Sequence, residues 1–270
     1  MSRGGRKGRA FLLLVLLLFP VSSFALSARE ILDKAREVNQ ARKWQDQSQK
    51  VTMRIIDKKG REKVREIKGF LKGFVGDEEY KSINFFRSPP QVKGVGFLHW
   101  AHAHRDDLMW LYLPGIGRTR QISQAVMDQS YQQTDLSYRD LELVNEVQNW
   151  TEEEARSELL REEVLAGKKC FVIQLTPKEK DLPYSRVILW LSADDYLNYK
   201  LEIYDREGEL FKVRLVEDYR DVQGFPTGHR LEFRTVPRGT KTIMEIAEVT
   251  YNNGLTDDFF TKRYLEREGW

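Results

Sequence analysis

The sequence has one cysteine and four histidines in 270 residues, and these shortages exclude several kinds of site. Cys170 has no partner for an internal disulfide, and in the run KKCFVIQL it is expected to be a small buried strand residue rather than a nucleophile. The chain has no Gly-x-Ser-x-Gly motif and no convincing Cys–His pair, so a hydrolase has weak support. The glycine motifs Gly94–Gly96 and Gly115–Gly117 lack the context of phosphate loops.

An excess of charge is also lacking once the first segment is set aside. Residues 1–25 carry four basic and no acidic side chains, so their removal lowers the 44 Lys and Arg to 40, against 41 Asp and Glu. Nucleic acid and anionic membrane surfaces attract proteins with a basic excess, which this balance does not provide. We therefore do not expect a nucleic-acid partner.

Apolar runs long enough to span a bilayer are missing as well, since Ala10 to Phe19 contains only ten residues. Basic residues precede this run, and Ser23 to Ala25 places small residues at the −3 and −1 positions of a cleavage site. The pattern predicts a secretory signal peptide over residues 1–25, cleaved after Ala25. An uncleaved anchor is the alternative. No cysteine directly follows the run, so lipidation is not expected.

Residues 26–270 are expected to form a single domain that begins with a helix. Ser27 and Glu30 form a capping-box pattern, and a helical apolar stripe follows, which predicts a helix over Ala28–Arg42. The stripe consists of Ile31, Leu32, Ala35 and Val38.

The remainder of the chain has the pattern of an antiparallel meander. About a dozen strand-forming runs follow one another from Gln47, separated by turn residues. The polar region Gln121–Asn149 interrupts them without a clear strand, and the tail Thr256–Arg267 has room for a short final helix.

Alternation in the later strands predicts one charged face and one apolar face. In one strand the apolar face is expected to hold Phe211, Val213 and Leu215, opposite Lys212 and Arg214. The run Leu108–Leu113 is apolar at every position, so both of its faces must be covered. Three geometries satisfy this need: a two-sheet sandwich, a closed barrel, or a curved half-barrel plugged by helices.

Two neighbouring motifs carry a resemblance to a known family. WLYLPGIGRTRQIS runs from Trp110 to Ser123, and TDLSYRDLE runs from Thr134 to Glu142. Together they resemble the LolA-like family of exported proteins, which is related to the outer-membrane lipoprotein-sorting carriers LolA and LolB. The ending LTDDFFTKRYLER is similar to that family too. The resemblance covers about residues 45–268, although Leu136 stands where the family has an aromatic residue.

The resemblance implies a mainly β fold, an antiparallel open half-barrel of about a dozen strands with helices covering its concave face. It implies a periplasmic carrier or chaperone, without catalysis or cofactor, that holds acyl chains of lipids or lipoproteins and passes them towards the outer membrane. It also implies that the protein acts as an accessory of an RND or MMPL-type inner-membrane transporter. We expect a monomer. A structural adaptor that carries no cargo is the alternative.

Candidate cavity residues are mostly the aromatic and leucine side chains of the strands. They are Phe97, Trp100, Trp110, Tyr112, Leu113, Trp190, Tyr199, Leu201 and Phe233. Core packing explains any one of these residues equally well, and the inward face of Leu108–Leu113 stays open.

Two further groups of polar residues have candidate roles. Arg118 and Arg120 are expected to pair with Asp135 or Asp140 and to pin the long loop, which also contains Tyr138; steering an anionic head group is the alternative. The histidines His99, His102 and His104 lack the rigidly held further ligand that zinc needs, so no metal site is expected.

Overall fold

In the computed structural model, which describes residues 26–73, 79–102 and 106–269, the chain forms thirteen strands and three α-helices. The strands are β1 (Asp46–Ile56), β2 (Glu62–Lys72), β3 (Glu79–Ser88), β4 (Gly96–His102), β5 (Leu108–Leu113), β6 (Arg118–Gln121), β7 (Ala155–Leu165), β8 (Lys168–Pro177), β9 (Tyr184–Ser192), β10 (Asn198–Asp205), β11 (Leu210–Val222), β12 (Phe225–Thr235) and β13 (Thr240–Tyr251). The helices are α1 (Ala28–Ala41), α2 (Tyr138–Glu146) and α3 (Lys262–Glu268). The predicted signal peptide and His104 lie outside the described residues.

All thirteen strands belong to one antiparallel sheet, in the order β6-β5-β4-β3-β2-β1-β13-β12-β11-β10-β9-β8-β7. Each half of the chain forms a meander, and the pairing of β1 with β13 joins the two halves. Because β6 and β7 are the two edges, the sheet of the described residues is open rather than closed into a barrel. The predicted antiparallel half-barrel is therefore confirmed, and the sandwich and the closed barrel are excluded.

The sheet has an inner face, covered by α1 and by residues 122–150, and an outer face, covered in part by the C-terminal residues 255–265. We call residues 122–150 the lid segment. Helix α1 begins as predicted, because the Ser27 side chain accepts a hydrogen bond from the Glu30 N–H and the Glu30 carboxylate accepts one from Ser27. Its buried Ile31 and Leu32 pack against the inner face of β8–β10.

The apolar strand β5 is covered on both faces, which explains its composition. Met109 packs on the inner face beneath the lid segment, and Trp110 and Tyr112 pack on the outer face beneath Phe260 and Leu265. Helix α3 approaches β4 closely at Gly96, where a Cβ would lie 2.6 Å from Leu265 Cδ1. The final helix predicted in the tail is thus a cover for the outer face.

The expected separation of charged and apolar faces is wrong for β11. Directly paired residues of neighbouring strands share a face, and Arg214 pairs with Leu201 of β10 and Phe233 of β12. Arg214 and Lys212 therefore lie on the inner face, whereas Val213 lies on the outer face. No helix among the described residues is long and apolar enough to cross a membrane.

Candidate functional site

Two apolar clusters occupy the inner face of the sheet. The first joins β8–β10 to α1 and to Leu143 and Val147 of the lid segment. The second joins β1–β5 to Met127, Tyr131 and Tyr138 of the lid segment. The lid side chains fill the space in which the sequence predicts an acyl-binding cavity.

The lid segment folds onto the sheet through local capping and through polar contacts. Ser137 caps α2: its hydroxyl accepts from the Asp140 N–H at 3.1 Å, and the Asp140 carboxylate accepts from the Ser137 N–H. The same carboxylate forms a very short contact with the Lys212 ammonium of β11. Both side chains are nearly buried, at 12% and 14% exposure, so this is a desolvated ion pair between lid and sheet.

Three more hydrogen bonds hold the turn that precedes α2. The Asp135 carboxylate accepts hydrogen bonds from the hydroxyls of Thr240 and Thr242 of β13, the latter at 2.8 Å. Arg65 of β2 donates to the carbonyl oxygen of Gln132 at 2.6 Å. These contacts and the Asp140–Lys212 pair connect the lid segment to the central strands, between the two apolar clusters.

Arg118 and Arg120 do not take the predicted role. They lie on the edge strand β6, while Asp135 and Asp140 have threonine and lysine partners. The expected arginine–aspartate pairing is therefore wrong. Sequence reasoning missed Lys212 because its polarity assigned it to the charged face. The acids of the lid segment, which need cationic partners, were the available signal.

The predicted cavity residues are divided between the two faces. Phe97, Leu113 and Leu201 lie on the inner face, and Phe233 shares that face by its pairing. The Phe97 ring contacts Tyr131 and Tyr138, with centroid distances of 5.1 and 5.9 Å.

Four of the remaining candidates lie on the outer face. Trp100, Trp110 and Tyr112 belong to the outer cluster, where the Trp100 indole donates to the Phe260 carbonyl oxygen at 2.8 Å. Trp190 lies in a small outer cluster with Cys170. Tyr199 packs against Tyr219, at a centroid distance of 4.9 Å. Strands β5 and β9 are apolar on both faces, which is why composition did not reveal the side to which these residues point.

Three clefts open beside the lid segment. The first, of about 290 Å³, lies between the lid segment and β10–β12, and its walls include Asp135, Asp140 and Lys212. The second, of about 320 Å³, lies between α1, the end of the lid segment and β10–β11, and Arg214 lines it. The third, of about 630 Å³, lies between the turn before α2 and the hairpin of β1 and β2. The wall of the Arg214 cleft is mainly polar, unlike the apolar clusters next to it.

Two acidic residues of α2 are partly buried and are repelled by other carboxylates, including one just before β5. Burial, together with repulsion from Asp107 and Glu146, raises the pKa of Glu142 to about 8. Burial likewise raises the pKa of Glu146 to about 7, with added repulsion from Asp107 and Glu154. These carboxyl groups therefore titrate near neutral pH.

The histidines make pairwise contacts with carboxylates. His99 Nε2 lies 2.5 Å from Asp107 Oδ2, and His102 Nδ1 lies 3.2 Å from Glu79 Oε1. Among the residues that the structure describes, no group of three or more His, Cys, Asp or Glu side chains is arranged to hold a metal ion.

Comparisons with known proteins agree with this architecture. A family model described as "Uncharacterized protein" matches residues 78–267. The structure is similar to a DUF1329 family protein from Desulfovibrio piger, with 27% identity and a TM-score of 0.79, covering 88% of this chain and 98% of that one. No curated protein matches the chain.

Two further solved structures share the fold. A putative outer membrane lipoprotein-sorting protein domain from Vibrio parahaemolyticus is 25% identical, with a TM-score of 0.76, covering 87% of this chain and 100% of that one. A LolA superfamily protein from Nitrosomonas europaea is 20% identical, with a TM-score of 0.63, covering 89% and 100%. The family model and these structures together support a LolA-like family.

Proposed function

We propose, because this chain belongs to the LolA-like family, that it is a carrier whose inner face binds the acyl chains of lipids or lipoproteins when the lid segment is displaced. One observation carries the proposal: the apolar inner face is covered by α1 and a short lid segment rather than by a second sheet. The name of the Vibrio parahaemolyticus relative supports lipoprotein sorting as the setting.

An acyl chain can replace the lid side chains energetically. Leu143 and Val147 cover the first cluster, and Met127, Tyr131 and Tyr138 cover the second. Each buried methylene contributes about 0.8 kcal/mol, so ten methylenes contribute about 8 kcal/mol. A bound chain of this length offsets the loss of several lid contacts.

The lid segment can separate from the sheet without breaking it. Its polar contacts with the strands are scattered hydrogen bonds and one ion pair, among them those of Asp135, Asp140 and the Gln132 carbonyl oxygen, and no ladder of the thirteen-stranded sheet passes through residues 122–150. The isolated bridge Ser130–Ser137 lies within the lid segment itself. Displacement therefore leaves the sheet intact.

The sequence supplies the finer parts of the proposal. Residues 1–25 are a signal peptide cleaved after Ala25, and residues 26–270 form one monomeric carrier domain in the periplasm. The carrier passes its cargo towards the outer membrane beside an RND or MMPL-type transporter. It has no catalytic step, and the donor and acceptor membranes determine the direction of transfer.

A structural adaptor is the second candidate, and the filled inner face favours it. Leu201 has no exposed surface, and lid side chains occupy the space next to it. An adaptor would keep this packing permanently, whereas a carrier must open it. Binding of an acyl probe distinguishes the two functions.

The mature protein is expected to bind a fluorescent long-chain acyl probe, and Leu113→Gln is expected to weaken that binding about tenfold or more. Leu113 is partly buried against the second inner cluster, so the variant leaves an amide without hydrogen-bond partners against the acyl chain, at a cost of about 1–3 kcal/mol. Probe titration gives the dissociation constants, and native mass spectrometry of protein purified from its own cells detects co-purified acyl species.

Leu108→Gln is the matched control. Leu108 is a partly buried leucine of the same strand, but it packs against the outer cluster. We expect it to change probe affinity less than about twofold, since the apolar contact that it loses is on the other face. A wild-type protein that binds no probe, or equal losses in both variants, would contradict the carrier and favour the adaptor.

A further inference from the structure

The cleft that Arg214 lines has an unusual composition. It lies between α1, the C-terminal end of the lid segment and strands β10 and β11, with a volume of about 320 Å³. Two arginines, five side-chain amides and two tyrosines line it, together with three apolar side chains, and none of its lining residues is acidic. The lining residues are Arg36, Asn39, Gln40, Val144, Gln148, Asn149, Tyr196, Leu197, Asn198, Arg214, Tyr219 and Pro226.

Arg214 is a half-buried cation without a carboxylate partner in the described part of the chain. Its Nη1 and Nη2 donate to the carbonyl oxygens of Val144 and Asn198, each at a long 3.3 Å. Its Nε is shielded from solvent and has no hydrogen-bond partner, and neither has the buried Asn198 Oδ1. A guanidinium removed from water in this way costs free energy unless an anion compensates it.

The surrounding charges leave the cleft positive. Arg36 Nη1 lies 2.8 Å from the carboxylate of the exposed Asp33, and Arg36 Nη2 donates a hydrogen bond to the Asn149 carbonyl oxygen. The nearby Asp195 already accepts from the Leu197 N–H at 3.1 Å and lies 3.8 Å from the Lys168 ammonium. Neither acid pairs with Arg214.

We propose that this cleft binds an oxyanion, a phosphate or carboxylate group, with Arg214 as its principal cation and Arg36 at its rim. A planar guanidinium matches the geometry of such groups, and side-chain amides donate and accept the remaining hydrogen bonds. The oxyanion is either a free ion or the head group of an amphiphile. In the second case its tail has a short path to the first apolar cluster, because Val144 packs against that cluster beside Leu143.

Inorganic phosphate is expected to raise the melting temperature of the wild-type protein at constant ionic strength, since ligands that bind only the folded state stabilise it. Arg214→Gln is expected to weaken phosphate binding about tenfold or more, because it removes the charge from the floor of the cleft. Isothermal titration gives the same affinities independently of the unfolding transition. Arg214→Lys, which keeps a charge but not the fork, is expected to have an intermediate affinity.

Arg220→Gln is the matched control for these measurements. Arg220 lies on the same strand, but it is exposed and paired with Asp218. We expect its phosphate affinity to stay within about twofold of wild type. A wild type without a phosphate-dependent shift, or equal affinities for Arg214→Gln and wild type, would overturn the proposal and leave water as the occupant of the cleft.

The source of the oxyanion is tested with soluble ligands. Glycerol phosphate and a short-chain phosphatidylglycerol are compared with inorganic phosphate, and a short-chain diacylglycerol without phosphate is the control. Tighter binding of the phospholipid identifies a head-group site, and equal binding of all three phosphates identifies a free-anion site. The site stands without the carrier function, because Leu113→Gln tests the acyl face and leaves inorganic phosphate binding unchanged.

Discussion

Replacing Asp140 with alanine is expected to weaken the attachment of the lid segment by about 3 kcal/mol, because the Lys212 ammonium stays buried without its carboxylate. The same change removes the carboxylate that accepts from the Ser137 N–H and so weakens the start of α2. Both losses act on the lid segment and leave the strand ladders untouched.

Amide hydrogen exchange locates this effect. The amides of Tyr138–Glu146 are expected to exchange about a hundredfold faster in the Asp140→Ala variant, while the amides of β8 and β9 keep their protection. The lid then opens more often, and the acyl probe is expected to associate faster. Unchanged exchange in α2, or faster exchange throughout the sheet, would contradict the interpretation of Asp140 as a lid contact.

Two further variants separate the ion pair from other effects. Asp128→Ala removes the partner of Arg139 in the same lid segment, but Asp128 is exposed, so a loss below about 1 kcal/mol is expected. Adding Lys212→Met to Asp140→Ala removes the unpaired charge and is expected to restore most of the lid protection. A double variant as unprotected as Asp140→Ala would show that capping, and not the ion pair, holds α2.

The architecture could be predicted from the sequence because its signals are local. The capping box at Ser27, the turn residues between strands and the lack of intervening helices define a helix followed by an antiparallel meander. The apolar strand β5 required a cover on both faces, and the structure provides the lid segment on one and residues 255–265 on the other. The motifs at Trp110 and Thr134 identified the family.

Which residues of β5 and β9 lie on the inner face could not be predicted, because apolar and polar residues do not alternate along these strands. Trp110 and Leu113 are equally apolar, and only the position of the C-terminal segment decides that Trp110 lies on the outer face. The same lack of alternation makes Trp190 a candidate cavity residue, although it faces away from the lid segment. Long-range packing settles these positions, and alternation within one strand contains no information about it.

Charged residues on the inner face were the second source of error. Lys212 and Arg214 look like solvent-facing positions, since buried cations are rare unless they have a partner. The partner of Lys212 is Asp140, which is 72 residues away in sequence and belongs to the lid segment. The hydrogen-bond acceptors of Arg214 are backbone carbonyl oxygens, which carry no full charge. Both positions break the rule that charged residues of a strand face solvent, and both lie where the lid segment meets the sheet. Departures of this kind are expected at functional sites.

Stability is expected to fall as pH rises from about 4.5 to about 8, because of two carboxyl groups of α2. Burial raises the pKa of Glu142 to about 8 and that of Glu146 to about 7, from an ordinary value of 4.5. Between these values the folded state binds more protons than the unfolded state, so each rise in pH favours unfolding. Their contribution is fully present below pH 4.5 and is lost above pH 8.

Glutamine variants test this dependence because a side-chain amide resembles the protonated carboxyl group. Glu142→Gln and Glu146→Gln are each expected to stabilise the protein by about 2 kcal/mol at pH 8.5 and to change it by less than about 0.5 kcal/mol at pH 4. Denaturant unfolding across this pH range gives the free energies. Glu153→Gln, at an exposed position, is the control and should follow the wild-type pH profile.

The charges around α2 explain why the lid segment should respond most. Asp107 repels both carboxylates, Asp106 adds repulsion at Glu142 and Glu154 adds it at Glu146, while Arg139 opposes it at Glu142. Ionisation above neutral pH therefore places like charges between α2 and the start of β5, and hydrogen exchange in α2 should speed up with pH beyond its intrinsic rate. Equal pH profiles for wild type and both glutamine variants would show that the two carboxyl groups ionise normally in the folded protein.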